Sequence, residues 1–144
     1  MNSETLRILY LIDCNITSWN VIALALEKNT KIIYLNLSGN RVDIGPITNA
    51  LRTNNTLKCL DLSAKIFSPK YSIDEEFIEL ARALFNKEQK TLETLILDNL
   101  HLNNNVYNAF VINQILKHFY FRNNDLTELP LNVVSYGITT IYRL

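Results

Sequence analysis

One pattern recurs along the chain and limits what it can become. Leu6, Leu9, Leu11, Cys14 and Ile16 fit the template LxxLxLxx(N/C)xL. Ile32, Leu35, Leu37, Asn40 and Val42 fit it again, as do Leu57, Leu60, Leu62, Lys65 and Phe67. A fourth copy is Leu92, Leu95, Leu97, Leu100 and Leu102, and a fifth is Leu116, Phe119, Phe121, Asn124 and Leu126. A degenerate sixth starts at Ile138 and Ile141. First positions fall at 6, 32, 57, 92 and 116, at intervals of 26, 25, 35 and 24. One LxxLxL alone is weak evidence. Five at near-constant spacing predict stacked copies of one unit.

The template has a physical reason. Alternate side chains of a strand face opposite ways, so the apolar residues at its fourth and sixth positions point into a core. Its first and last positions pack from the flanking turns. The ninth is Asn or Cys where the chain turns inward and buried backbone groups need partners. Asn40 and Asn124 suit that role, and Cys14 is a weak donor. Lys65 and Leu100 depart from it, and Lys65 must turn outward or pair, distorting the third turn.

Between the strands the sequence reads as helix. Ser18 is a suitable N-cap for Trp19 to Lys28, with Val21, Ile22, Ala25 and Leu26 as the inner stripe. Pro46 suits the first turn of a helix from about Ile47 to Thr53, with Ile47, Ala50 and Leu51 inside. Asp74 is placed to cap Glu75 to Asn86, with Phe77, Ile78, Ala81, Leu84 and Phe85 inside. Tyr107 to Gln114 repeats the idea through Ala109, Phe110 and Val111.

Composition removes other classes. Lys plus Arg and Asp plus Glu both number 14, and zero net charge argues against binding bulk nucleic acid or an anionic membrane. A hydrophobic fraction of 48% is too high for a disordered chain. Three scattered glycines leave no phosphate loop. Two cysteines and two histidines provide neither a disulfide framework nor a four-ligand zinc set, so no cofactor or metal is expected. The start MNSETLRILYLIDCN has no basic n-region, and Arg7 and Asp13 break its apolar run, so it does not read as a secretory signal. No apolar stretch nears the length of a membrane span. A reducing cytosol is the expected setting. The three glycosylation patterns at Asn15, Asn36 and Asn54 are read as chance in a chain with 19 asparagines.

The segments ALEKNTKIIYLNLSGNRV (25–42) and ALRTNNTLKCLDLSAKI (50–66) resemble leucine-rich repeats of the ribonuclease-inhibitor type. The likeness covers about 4–126, and Leu-Thr-Glu-Leu-Pro at 126–130 is similar to the shorter bacterial repeat. The resemblance implies one α/β domain over 1–144: a leucine-rich-repeat solenoid, or horseshoe arc. The parallel sheet lies on its concave face and helices on its convex face. About five repeats are followed by a C-terminal cap at 127–144. Val133, Val134, Ile138 and Ile141 are the cap's apolar residues. Size and an Asn/Ile-rich composition are similar to short repeat effectors of intracellular bacteria of the Legionella type. That similarity implies the host cell cytosol and a host protein or another effector as partner.

In that arrangement the non-leucine strand positions face the concavity. They are Ile8, Tyr34, Cys59, Thr94 and His118; then Tyr10, Asn36, Asp61, Ile96 and Tyr120; then Ile12, Ser38, Ser63, Asp98 and Arg122. The surface is tyrosine-rich at both ends and acidic or small in its middle. Tyr and Arg are common interface anchors. The expected binding set is Tyr10, Tyr34, Asn36, Cys59, Asp61, Ile96, Asp98, His118, Tyr120 and Arg122. Five strands at ~4.8 Å spacing, with about five residues of ~3.3 Å each, give a face of roughly 400 Å². A standard interface takes about 800 Å² per partner, so rims must take part. The candidates are Ser68 to Ile73, inside the long interval, and Arg41 and Asp43 beside the second turn.

Catalysis is not expected. Cys59 and His118 share a column but sit two copies apart, hence roughly 10 Å, where a nucleophile and its base need about 3 Å. The reading is a non-catalytic module that binds a globular protein, with occlusion of an enzyme's active site as the mechanism the resemblance implies. The alternative is a repeat piece that self-associates. Little precedes the first copy, so Leu6, Leu9 and Leu11 are expected near an open edge.

Overall fold

A computed structural model describes residues 5–65, 73–85, 91–112, 116–127 and 140–142. In chain order the elements are β1 (Ile8–Tyr10), α1 (Trp19–Lys28), β2 (Tyr34–Asn36), α2 (Ile44–Thr53) and β3 (Cys59–Asp61). They continue with α3 (Asp74–Phe85), β4 (Thr94–Ile96), α4 (Asn104–Val111), β5 (His118–Tyr120) and β6 (Thr140–Tyr142). The strands form one parallel sheet in the order β1-β2-β3-β4-β5-β6. Parallel neighbours need a crossover, and a helix occupies each of the first four. The register aligns Leu9, Leu35, Leu60, Leu95, Phe119 and Ile141 across the sheet. Ile141 thus lies in line with the earlier strand centres. The other apolar residues expected of the cap, Val133, Val134 and Ile138, lie outside the described residues.

The core lies between this row and the helices. Leu35, Leu60, Leu95 and Phe119 are buried, as are Leu37, Leu62, Leu97 and Phe121 two residues further on. The first and third residues of each strand point the other way, as the alternation requires. Helices contact one another in consecutive pairs, α1 with α2, α2 with α3 and α3 with α4. Among the described residues no helix is long and apolar enough to cross a membrane.

Helix phase differs from the sequence expectation. In α1 the buried residues are Trp19, Ala23 and Leu26, one face at i, i+4 and i+7, while Val21 and Ala25 are exposed. Docking of the large Trp19 ring sets that phase. Ser18 stands at the N-cap without a side-chain capping bond. Helix α2 starts at Ile44, so Pro46 is its third residue, where a missing N–H still costs no helical bond. Ile47, Ala50 and Leu51 are buried as expected. Asp74 is the first residue of α3 rather than its cap, and its carboxylate accepts from Asn103 N at 3.0 Å. Leu80 and Ala83 are buried in α3, whereas Phe85 is exposed. Helix α4 starts at Asn104, ahead of the expected Tyr107. Asn103 Oδ1 caps it by accepting from the Asn105 and Val106 amides at 2.8 and 3.3 Å.

Asparagines hold the turns. Asn40 Nδ2 donates to Leu11 O at 2.7 Å and Leu37 O at 2.8 Å, while its Oδ1 accepts from Ile16 N at 3.1 Å. Asn124 Nδ2 donates to Leu97 O at 2.7 Å, and its Oδ1 accepts from Leu100 N and Leu102 N. Each therefore ties together backbone groups of two successive strand-to-helix turns, the role expected of an asparagine there. At the helix-to-strand turns Asn54 donates to Leu26 O and Asn29 O and accepts from Thr56 N and Leu57 N. Asn54 is 2% exposed, and Asn36 is also buried, so neither side chain is presented for glycosylation.

The strand-to-helix turns extend the ladder by one rung. Asp13 N bonds Ser38 O, Gly39 N bonds Ser63 O, Ala64 N bonds Asp98 O and Asn99 N bonds Arg122 O. Asp13, Gly39, Asn99 and Asn123 hold positive φ there, at 55°, 74°, 63° and 53°. Ala64 occupies the same place in the third turn and does not, since alanine disfavours that region. The Ala64 amide still makes the same rung, so the distortion expected from Lys65 is not seen in this bond. Lys65 pairs outward with Asp13 at 3.0 Å.

Candidate interaction surface

The register places the sequence-selected residues in two rows on the sheet face turned away from the buried leucines. Ile8, Tyr34, Cys59, Thr94 and His118 form one row. Tyr10, Asn36, Asp61, Ile96 and Tyr120 form the other. Ile8 and Tyr10 are exposed at the sheet edge, and most of the others are half-buried by neighbours on both sides. Asn36 is the exception. Its side chain is buried within the face and presents little surface.

Two aromatic patches bracket the rows. The Tyr10 and Tyr34 rings lie 5.3 Å apart, tilted by 48°. This separation falls in the favourable range for offset aromatic pairs. At the far end the Arg122 guanidinium lies 5.4 Å from the Tyr120 ring centre, a cation–π contact. Burial raises the Tyr34 phenol above its ordinary value, against a lowering hydrogen bond to Asn36.

A polar chain joins the patches. Asn36 Nδ2 donates to Asp61 Oδ2 at 3.0 Å, and Asp61 Oδ1 accepts from Ser63 N at 3.0 Å. Asp98 N donates to Ser63 Oγ at 3.2 Å, and Arg122 N donates to Asp98 Oδ1 at 2.8 Å. Each carboxylate is therefore held at one oxygen by a backbone amide. Burial raises the Asp98 pKa, the Arg122 amide and charge oppose it, and Asp61 adds to the rise. Ser63 is the link that sequence reasoning left out of the site. Its signal was a small hydroxyl residue placed between two aspartates on the same surface.

Cys59 and His118 are separated within their row by Thr94, hence by two strand spacings, roughly 10 Å. Burial, and then the Asp61 charge, push the Cys59 thiol up to about 11, so it is protonated at neutral pH. His118 Nδ1 is buried with no hydrogen-bond partner. Among the described residues no three His, Cys, Asp or Glu side chains are grouped to hold a metal ion.

Arg41 and Asp43 are exposed on the rim of a cleft of about 580 Å³ between the first turns and α3. Trp19, Ile73, Glu76 and Phe77 also line it. Of the predicted rim loop, residues 68–72 lie outside the described residues. Set against known proteins, this chain matches no family model and no curated protein.

Proposed function

We propose that the chain is a leucine-rich-repeat solenoid and a non-catalytic recognition module. Its open sheet face, concave in that architecture, docks a globular protein partner. The observation that carries this reading is the face itself. One side of a parallel sheet is left uncovered, with aromatic anchors at both ends and a hydrogen-bonded polar strip between them. Rigid aromatic residues and pre-positioned carboxylates lose little freedom on binding, which favours affinity from a small area. Docking of the face and its rim over an enzyme's active site gives inhibition by occlusion. The resemblance to short bacterial effectors supplies a setting, the host cytosol, with a host protein or a second effector as partner.

The test is affinity capture with mass spectrometry, followed by titration of the captured partner. Tyr34→Ala and Tyr120→Ala should each weaken binding by about 1–3 kcal/mol, roughly 5- to 150-fold in Kd. Unchanged affinity in both variants moves the contact to the rim or the helices and rejects the sheet-face reading.

A further inference from the structure

We propose that the middle of the open sheet face takes a cationic side chain of the partner protein, a guanidinium set against the Asp98 carboxylate. This rests on the recognition reading above and names the chemistry that the face selects. Asp61 ends β3, where the register sets it beside Ile96 of β4. Asp98 lies two residues beyond Ile96. The two aspartates therefore belong to neighbouring strands, with Cα atoms roughly 8 Å apart at ordinary strand spacing and rise. Both meet Ser63, Asp61 by accepting from its amide at 3.0 Å and Asp98 by donating its own amide to Oγ at 3.2 Å. Asp61 engages one oxygen with Ser63 N and the other with Asn36 Nδ2. Asp98 engages Oδ1 with the Arg122 amide at 2.8 Å. Its Oδ2 accepts no hydrogen bond from a described residue, and among the described residues neither aspartate forms an ion pair.

The surroundings of that oxygen suit a cation. Asp98 is half-buried, and burial is the main cause of its raised pKa, with Arg122 opposing and Asp61 adding to the rise. The carboxylate has thus already given up part of its water, and its free oxygen is held in place by the bond at the other one. An incoming cation meets a pre-positioned, partly desolvated acceptor, where a charge-assisted hydrogen bond is stronger than in open water. Arg122 is itself exposed and lies over the Tyr120 ring. A guanidinium is less strongly hydrated than an ammonium and offers a carboxylate two donors, so it loses least on entering such a place. The charge pattern along the strands gives the direction. Lys58, Glu93 and Lys117 stand in line just ahead of β3, β4 and β5, and Lys117 pairs with Glu93 at 3.1 Å. A cation is therefore repelled where the strands start and attracted where they end, which orients the partner along them. An acidic partner residue in the same place would meet Asp61 and Asp98 as like charges.

The probe is acetyl-arginine amide, with acetyl-citrulline amide as its neutral isostere. Each is titrated to about 100 mM into the isotope-labelled full chain and followed by backbone NMR, a range suited to a single side chain. The arginine compound should give saturable shifts at the Asp98 and Arg122 amides and bind at least about fivefold more tightly than the citrulline compound. Asp98→Asn keeps an oxygen for the Arg122 amide and removes the charge. It should bind the two compounds alike, at least about fivefold more weakly than the natural chain binds arginine, with no fall in its urea midpoint. Lost binding without lost stability is a result that a merely structural aspartate does not give. Glu93→Gln, at the opposite end of the strands, should keep the preference for arginine. Equal shifts from both compounds, a preference that survives Asp98→Asn, or one that is lost in Glu93→Gln overturns the proposal. The recognition reading fails by a different result, unweakened partner binding in both Tyr34→Ala and Tyr120→Ala, so the two are judged apart.

Discussion

Asp98 carries a charge that the fold holds at a cost. Burial is the largest cause of its raised pKa, and the contact with Arg122 only partly offsets it. The sign of the pH dependence follows. A carboxyl whose folded pKa lies above its unfolded value favours the fold most when protonated, and that advantage is lost as pH rises through the folded value. Asp98→Asn keeps an oxygen for the Arg122 amide and removes the charge. The variant should therefore show a modestly higher urea midpoint at pH 7, and the gain should vanish below the ordinary carboxylate range near 3.8. A gain that is equal at pH 3 and pH 7 contradicts this account. The two thiols differ for the same kind of reason. Cys14 is exposed, while Cys59 is half-buried and pushed up to about 11. A thiolate-selective reagent at neutral pH should label Cys14 first, with Cys59 slower by about tenfold or more.

At the scale of the element, the turns rather than the helices set the register. Asn40 satisfies two carbonyls and one amide shared between the first two coils. Asn40→Ala leaves those groups without partners, at about 1–3 kcal/mol for each one that stays dry, so a total near 3 kcal/mol is expected in denaturant unfolding. Gly39 is tied to the same turn. Its φ is +74°, and a Cβ there would meet Asp13 Oδ1 at 1.9 Å. Gly39→Ala should destabilise by more than about 1 kcal/mol. Part of that loss should be recovered in the double variant with Asp13→Ala, a coupling that melting curves of the four proteins would reveal. Asn40 was legible in the sequence, because an asparagine at the template's ninth position suits buried backbone groups, whereas the positive φ of Gly39 was not read from it. The helix faces were less so. A periodic stripe fixes that a helix is amphipathic, but which residues point inward depends on what docks first. Trp19 rotated the inner face of α1 away from Val21, and Asn103 started α4 a turn earlier than its apolar residues indicate. The polar chain from Asn36 to Arg122 was not legible as a chain. Its links join residues 24 to 35 positions apart, and its reach depends on side-chain geometry that spacing does not carry.

Across the whole molecule, stability should be graded along the sheet rather than uniform. Each of β2 to β5 is paired on two sides, and the helices touch only in consecutive pairs. A strand paired on both sides depends on two neighbours and opens less readily than one at the end of the sheet. Leu60 and Leu95 sit at the centre and are wholly buried, whereas Leu9, in the same register, is only partly covered. Amide exchange should accordingly be slowest for β3 and β4 and faster at the two terminal strands, β1 and β6. The same gradient bears on core substitutions. Leu60→Ala removes a side chain packed from both sides and should cost about 2–5 kcal/mol, while Leu9→Ala should fall below that range. Protection of β1 equal to that of β3 and β4 would show that the sheet opens as one unit. Strand β1 would then owe its stability to more than its pairing with β2.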